Sequence, residues 1–158
     1  MKKLLTVAAF SAALFAGPAS AQFYVGAGAG ASDTDSNESS WKTYVGYQLA
    51  PRWGIEVGYT DLGDYRGGSI DSTFLAGTFT HAFGERWSFL AKLGQTWNSP
   101  HAAGVGKNSD FYAAVGLGYN FNKHLGLRLE YEDFGELSDS PGPISSGSSL
   151  SLSVKYGF

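Results

Sequence analysis

Four charged side chains stand inside otherwise apolar or glycine-rich stretches: Glu56 in GIEVGY (54–59), Lys92 in LAKLG (90–94), and Arg128 with Glu130 in LRLEY (127–131). The chemistry open to them is ion pairing away from water, because a lone charge in a narrow, poorly hydrated space is unfavourable unless an opposite charge meets it. Two acids and two bases balance, and the expected pairs are Glu56 with Arg128 and Lys92 with Glu130, able to exchange partners. Hydrolytic chemistry would need a serine, a histidine and a carboxylate together. The three histidines, His81, His101 and His124, are scattered, and no Gly-x-Ser-x-Gly elbow occurs. Metal binding fares no better: Asp33, Asp35 and Glu38 lack the spacing and glycine of a calcium loop. The GAGAG run at 26–30 lacks the following helix that would make it a phosphate cradle. No catalytic, cofactor-binding or metal-ligating residue is therefore expected, and no cofactor.

The elements that must position those four charges show period two, not 3.6. Eight alternating segments are expected at about 23–32, 40–50, 53–62, 72–83, 87–99, 110–122, 124–134 and 149–158. Their connections run long, short, long, short, long, short, long. In an up-and-down meander that order gathers every long loop at one end, and every tight turn with both termini at the other. Membrane-spanning barrels show this asymmetry.

Which face is wet decides the class. Trp53, Ile55, Val57 and Tyr59 oppose Gly54, Glu56, Gly58 and Thr60; Leu125, Leu127, Leu129 and Tyr131 oppose Gly126, Arg128, Glu130 and Glu132. One face is apolar; the other is glycine, hydroxyl and charge. Glycine suits the crowded interior of an eight-stranded barrel. Aromatics recur beside the tight turns (Phe23, Trp53, Phe83, Trp87, Phe121, Phe158) and near the loop ends (Trp41, Tyr59, Trp97, Tyr131), as two membrane interfaces would select. From Trp87 to Trp97, ten steps of about 3.3 Å at a tilt near 40° span roughly 25 Å, the height of the apolar band of such barrels. Gln95 interrupts that face, at a bulge or at headgroup level.

The last stretch, SLSLSVKYGF (149–158), alternates to its final aromatic. An open strand edge in lipid leaves backbone groups unpaired at several kcal/mol each, so only a closed barrel spans. The eighth segment must then pair with both the seventh and the first. The expected fold is an all-β, eight-stranded antiparallel up-and-down transmembrane barrel with the apolar face outward. A soluble barrel of the same alternation would instead bury Val57, Leu127 and Val154 and expose Glu56 and Arg128.

Residues 1–21 are a separate object, with a basic start, an apolar run and a small-x-small end at Ala19-Ser20-Ala21. That layout is a secretory signal peptide, leaving residues 22–158 as one barrel domain. With Lys2 and Lys3 gone, nine basic residues face fourteen acidic ones. No basic stripe for nucleic acid is present, and the absence of cysteine excludes a disulfide framework.

The stretches FYVGAGAG (23–30), VGYQLA (45–50), WGIEVGYTDLG (53–63), LAKLG (90–94), LRLEYEDFG (127–135) and SLSVKYGF (151–158) resemble the OmpA-like family, the small outer-membrane β-barrels that include the transmembrane domain of outer membrane protein A. The resemblance implies a component of the Gram-negative cell outer membrane, with periplasmic termini and extracellular long loops, and outer-membrane lipid and lipopolysaccharide as its surroundings. It implies a structural, envelope-integrity role, with a narrow gated pore at Glu56 and Arg128 as one mode. The family's gate uses further charges in strands four and six where this sequence has Thr78 and Gly118, leaving Lys92 and Glu130 as substitutes. Tyr156 and the final Phe158 resemble the signal read by the barrel assembly machinery. Some members tether peptidoglycan through a further domain, a role not expected here because the sequence stops at Phe158. Apart from the resemblance, external loops on a rigid barrel are natural recognition sites, so loop-mediated adhesion through Tyr65, Arg66, His101 or Lys107, its partner unknown, is the alternative role. Lipid A modification, which some eight-stranded outer-membrane barrels perform, is the other.

Overall fold

The computed structural model describes residues 22–33, 37–65, 68–100, 108–136 and 146–158. Eight strands follow in chain order: β1 (Gln22–Asp33), β2 (Asn37–Gln48), β3 (Trp53–Tyr65), β4 (Gly68–Ala82), β5 (Trp87–Pro100), β6 (Asn108–Asn120), β7 (Leu125–Glu136) and β8 (Ser146–Gly157). Every neighbour is antiparallel, and β8 pairs with β1, so the sheet closes into a barrel. Residues 1–21, where a signal peptide is expected, lie outside the described residues.

The registers set the shape. A walk across paired residues from Phe23 passes Tyr47, Ile55, Gly77, Leu93, Ala113, Asp133 and Ser148, and re-enters β1 at Asp33. A stagger of ten residues over eight strands tilts the strands by about 40° and leaves an interior only wide enough for side chains.

The three tight turns are built by local hydrogen bonds. Leu49 N and Ala50 N both donate to Trp53 O, at 2.9 and 3.0 Å. Gly84 takes a φ of 101°, a left-handed conformation that closes the second turn at no steric cost. In the third, Asn122 Oδ1 accepts from the backbone N–H of His124 and Leu125, each at 2.8 Å.

At the opposite end the strands run further than the alternation predicts. The β1–β2 ladder continues to Asp33–Asn37 and the β3–β4 ladder to Tyr65–Gly68, so two of the four expected long loops are mostly strand. Polar residues there keep pairing because a backbone ladder needs hydrogen-bond partners, not an apolar face. Two bulges carry the strands into this region. Gly63 (φ 82°) and Gly135 (φ 65°) sit where the registers shift, each donating its N–H to the aspartate two residues earlier, Asp61 at 2.9 Å and Asp133 at 2.8 Å. No bulge lies at Gln95: it pairs in register with Leu75 and Phe111.

The apolar face is outside. Val57 and Val154 are 48 % and 49 % exposed, whereas Glu56 and Arg128 retain 1 % and 7 %. Around the turn end, Trp53 packs on Phe79 and Trp87 on Tyr119, each at 4.9 Å between ring centroids; near the loop end Trp41 packs on Tyr59 at 5.4 Å. The lumen departs from the expected polar filling in one layer. Towards the loop end Leu62, Ile70, Phe74, Tyr112 and Phe134 are fully buried inside it, with Phe74 stacked on Tyr112 at 4.5 Å and 9°. Leu62 and Phe134 are the residues just before the bulge glycines. The carbonyls exposed by the two bulges are met by lumenal side chains, Ser32 Oγ donating to Leu62 O (2.5 Å) and Asn98 Nδ2 to Phe134 O (3.2 Å).

Candidate functional site in the lumen

Inward positions of β2, β3, β5 and β7 bring charged side chains together in the barrel interior. There Lys42, Glu56, Lys92, Glu130 and Glu132 are fully buried and Arg128 nearly so. They form a chain of alternating sign. Lys42 Nζ bridges Glu132 Oε2 (2.9 Å) and Glu130 Oε2 (2.5 Å). Lys92 Nζ bridges Glu130 Oε1 and Glu56 Oε1, both at 2.5 Å, the first an ion pair outside hydrogen-bonding angles. Arg128 Nη1 closes the chain on Glu56 Oε2 at 2.8 Å.

Neutral donors add to the carboxylates of Glu56 and Glu132. Tyr24 OH donates to Glu56 Oε2 (3.1 Å), Tyr112 OH to Glu132 Oε1 (2.5 Å) and Ser151 Oγ to Glu132 Oε2 (3.1 Å). Three acids and three bases cancel, which is the condition for charges to persist at such burial. Aromatic faces complete the shell: the Arg128 guanidinium lies 4.7 Å from the Tyr24 ring centroid and 5.2 Å from that of Tyr44.

Glycine is what admits these rings. Tyr24 pairs across the ladder with Gly46, and Tyr44 with Gly26. A Cβ on either glycine would collide with the partner ring. Each tyrosine thus lies flat over its cross-strand glycine, and the rings fill the wall beneath the charges.

All four charges singled out from the sequence meet here, and both expected contacts are present. Lys92 joins the two expected pairs into one chain. Lys42 and Glu132 are not among the charges singled out, although Glu132 is placed on the polar face. Their signal was parity: Lys42 shares an inward set with Ser40 and Tyr44, and Glu132 follows Glu130 on the same face. Thr78 and Gly118 are buried and carry no charge into the network.

The other candidates do not converge. His81 and His124 are exposed at the turn end, His124 Nδ1 lying 2.8 Å from Gly157 O. Asp33 is exposed at the end of β1, and Glu38 lies in β2. Among the described residues no group of histidines and acids could hold a metal ion. Tyr65 ends β3. Arg66, His101, Lys107 and Asp35 lie outside the described residues. Tyr156 and Phe158 stand exposed on the outer wall, rings 5.2 Å apart, with Phe158 N donating to Phe23 O (3.0 Å).

Comparison with known proteins is consistent with this geometry. The family model described as outer membrane protein beta-barrel domain matches residues 4–158. No curated protein matches the chain. Among solved structures, Neisserial surface protein A is similar at a TM-score of 0.65 and 14 % identity, over 90 % of this chain and 99 % of that one. Ail, the attachment invasion locus protein of Yersinia pestis, gives 0.55 and 15 %, over 87 % and 97 %. The outer membrane enzyme PagL gives 0.59 and 16 %, over 84 % and 98 %. At such identities the likeness is one of fold.

Proposed function

The chain belongs to the outer membrane protein β-barrel domain family, and from that premise we propose that this outer-membrane barrel is a structural component supporting envelope integrity, its lumen sealed against conduction. The observation that carries this reading is the filled interior. The alternating charge chain crosses the lumen, and the apolar layer of Leu62, Ile70, Phe74, Tyr112 and Phe134 caps it on the loop side. An ion would have to displace a tightly paired charge and then pass between packed, fully buried side chains. Purified barrel in planar bilayers should give no conductance steps, and Glu56→Ala should gain none. Steps in the native protein would overturn the sealed reading.

A gated pore is the second reading. Lys92 already touches two acids, so a shift from shared to single contact needs only a small movement. Conductance appearing in Glu56→Ala alone would favour it.

We orient the barrel with its turns and termini in the periplasm and the loop end outside, its apolar wall in contact with outer-membrane phospholipid and lipopolysaccharide. The sequence has no cysteine to interfere with labelling. Asp33→Cys should react with a bulky maleimide on intact cells, and Lys123→Cys only after the outer membrane is opened. Residues 1–21 act as an export signal, and Tyr156 with Phe158 as the contact for the barrel assembly machinery. Strands that rise beyond the apolar band support loop-mediated binding as a further role. Lipid A modification is disfavoured, since the described histidines stand at the turn end away from any serine–carboxylate pair. An unchanged lipid A mass spectrum on overexpression is expected.

A further inference from the structure

The alternating chain runs Glu132, Lys42, Glu130, Lys92, Glu56, Arg128, and the next charged side chain in the lumen breaks the alternation. It is Lys155, on β8 at the turn side of Arg128. Lys155 Nζ lies 5.7 Å from the Tyr24 ring centroid, and the Arg128 guanidinium 4.7 Å from the same centroid, so two cations share one aromatic ring. Arg128 has its acid in Glu56. Among the described residues no carboxylate stands within ion-pair distance of Lys155.

Both cations line a recess of 40 Å³ at the turn end. Thr80, Ser88 and Asn120 line it as well, and no acidic residue does. Gln48 also borders it, but its amide nitrogen is committed to Ala50 O (2.8 Å) and Trp53 O (3.2 Å). A space of this size holds about three water-sized spheres. Two cations, two hydroxyls and a carboxamide converging on such a space form a donor set for an anion with several acceptor oxygens. Among the described residues the charge chain and the apolar layer stand between the recess and the loop end, so the recess faces the turn side.

We propose that the turn-side lumen is a binding site for a small free oxyanion of the phosphate or sulfate class, with Lys155 and Arg128 as its cationic ligands. The anion supplies the missing acid of the chain and screens the two cations from each other. The site goes beyond the structural role. Only its assignment to the periplasmic compartment rests on the proposed orientation, and the following test is independent of that orientation.

Refolded barrel in neutral detergent, labelled with 15N, is titrated with inorganic phosphate, sulfate and chloride at constant ionic strength. Phosphate and sulfate should give saturable amide shifts at Ser88, Asn120 and Lys155, and none at Thr96 or Asn98 beyond the charge chain. Chloride should bind at least about tenfold more weakly, lacking the acceptor oxygens that make several charge-assisted hydrogen bonds. Lys155→Gln should weaken phosphate about tenfold while Lys155→Arg retains it, both variants showing the native heat-modifiable gel mobility. Non-saturable shifts, equal affinity for chloride, or unchanged affinity in Lys155→Gln would each overturn the site. Conductance measurements test the structural reading separately, so either proposal can fail alone.

Discussion

At the scale of the residue, Lys92 is the member on which the charge chain turns, since it holds Glu56 and Glu130 together. Removing one partner of a buried ion pair leaves uncompensated charge, typically at about 3–5 kcal/mol. Lys92→Met should therefore lower the urea midpoint of the refolded barrel sharply, followed by gel mobility without boiling. Adding Glu130→Gln should recover part of the loss, because without Lys92 three acids face two bases and this change removes the surplus negative charge. Equal stability of Lys92→Met and the native chain would show that the network contributes nothing net. The tyrosines matter in a different way. Tyr24 and Tyr44 owe their places to Gly46 and Gly26, so the small residues that looked like mere filling in the sequence are specific seats for rings.

At the scale of the element, β3 and β7 share a device. Tyr59-Thr60-Asp61-Leu62-Gly63 and Tyr131-Glu132-Asp133-Phe134-Gly135 both place a bulge glycine after a large apolar residue that turns into the lumen. Gly135→Ala places a Cβ in a left-handed backbone, 2.6 Å from Asp110 Cγ. A cost of about 1–3 kcal/mol follows, and hydrogen exchange should quicken at the loop ends of β7 and β8 while the turn end stays protected. On β8, parity decides the outcome of substitution. Val154 faces outward and Ser153 inward. Val154→Arg should cost about 2–4 kcal/mol when the barrel is folded into vesicles. In detergent micelles, which deform around a charge, the penalty should shrink. An equal penalty in both media would contradict a lipid-facing Val154.

At the scale of the whole molecule, closure is the decisive event. The ten-residue stagger makes an interior that side chains fill, and the filling is layered: a cationic recess, a neutral charge chain, then an apolar cap. A barrel so filled, with a continuous exposed apolar wall, should fractionate with the outer membrane. It should also migrate faster on gels before boiling than after. Recovery in the soluble periplasmic fraction would refute the outward-facing wall.

Much of this was legible from the chain alone, and for a physical reason. Period-two alternation assigns every strand residue to one of two faces, and lipid tolerates only one answer for which face carries Val57 and which carries Glu56. The outward aromatic girdles and the burial of Glu56, Lys92, Arg128 and Glu130 follow from that binary choice, while strand count and antiparallel order follow from the eight alternating segments and the long–short rhythm of their connections. Alternation carries no information about which inward residues stand at the same height, because height depends on the stagger accumulated around the closed sheet. Hence the tertiary structure alone decided that Lys42 and Glu132 join the chain, that Leu62, Phe74 and Phe134 meet as a cap, and that Lys155 is left beside Arg128 without an acid.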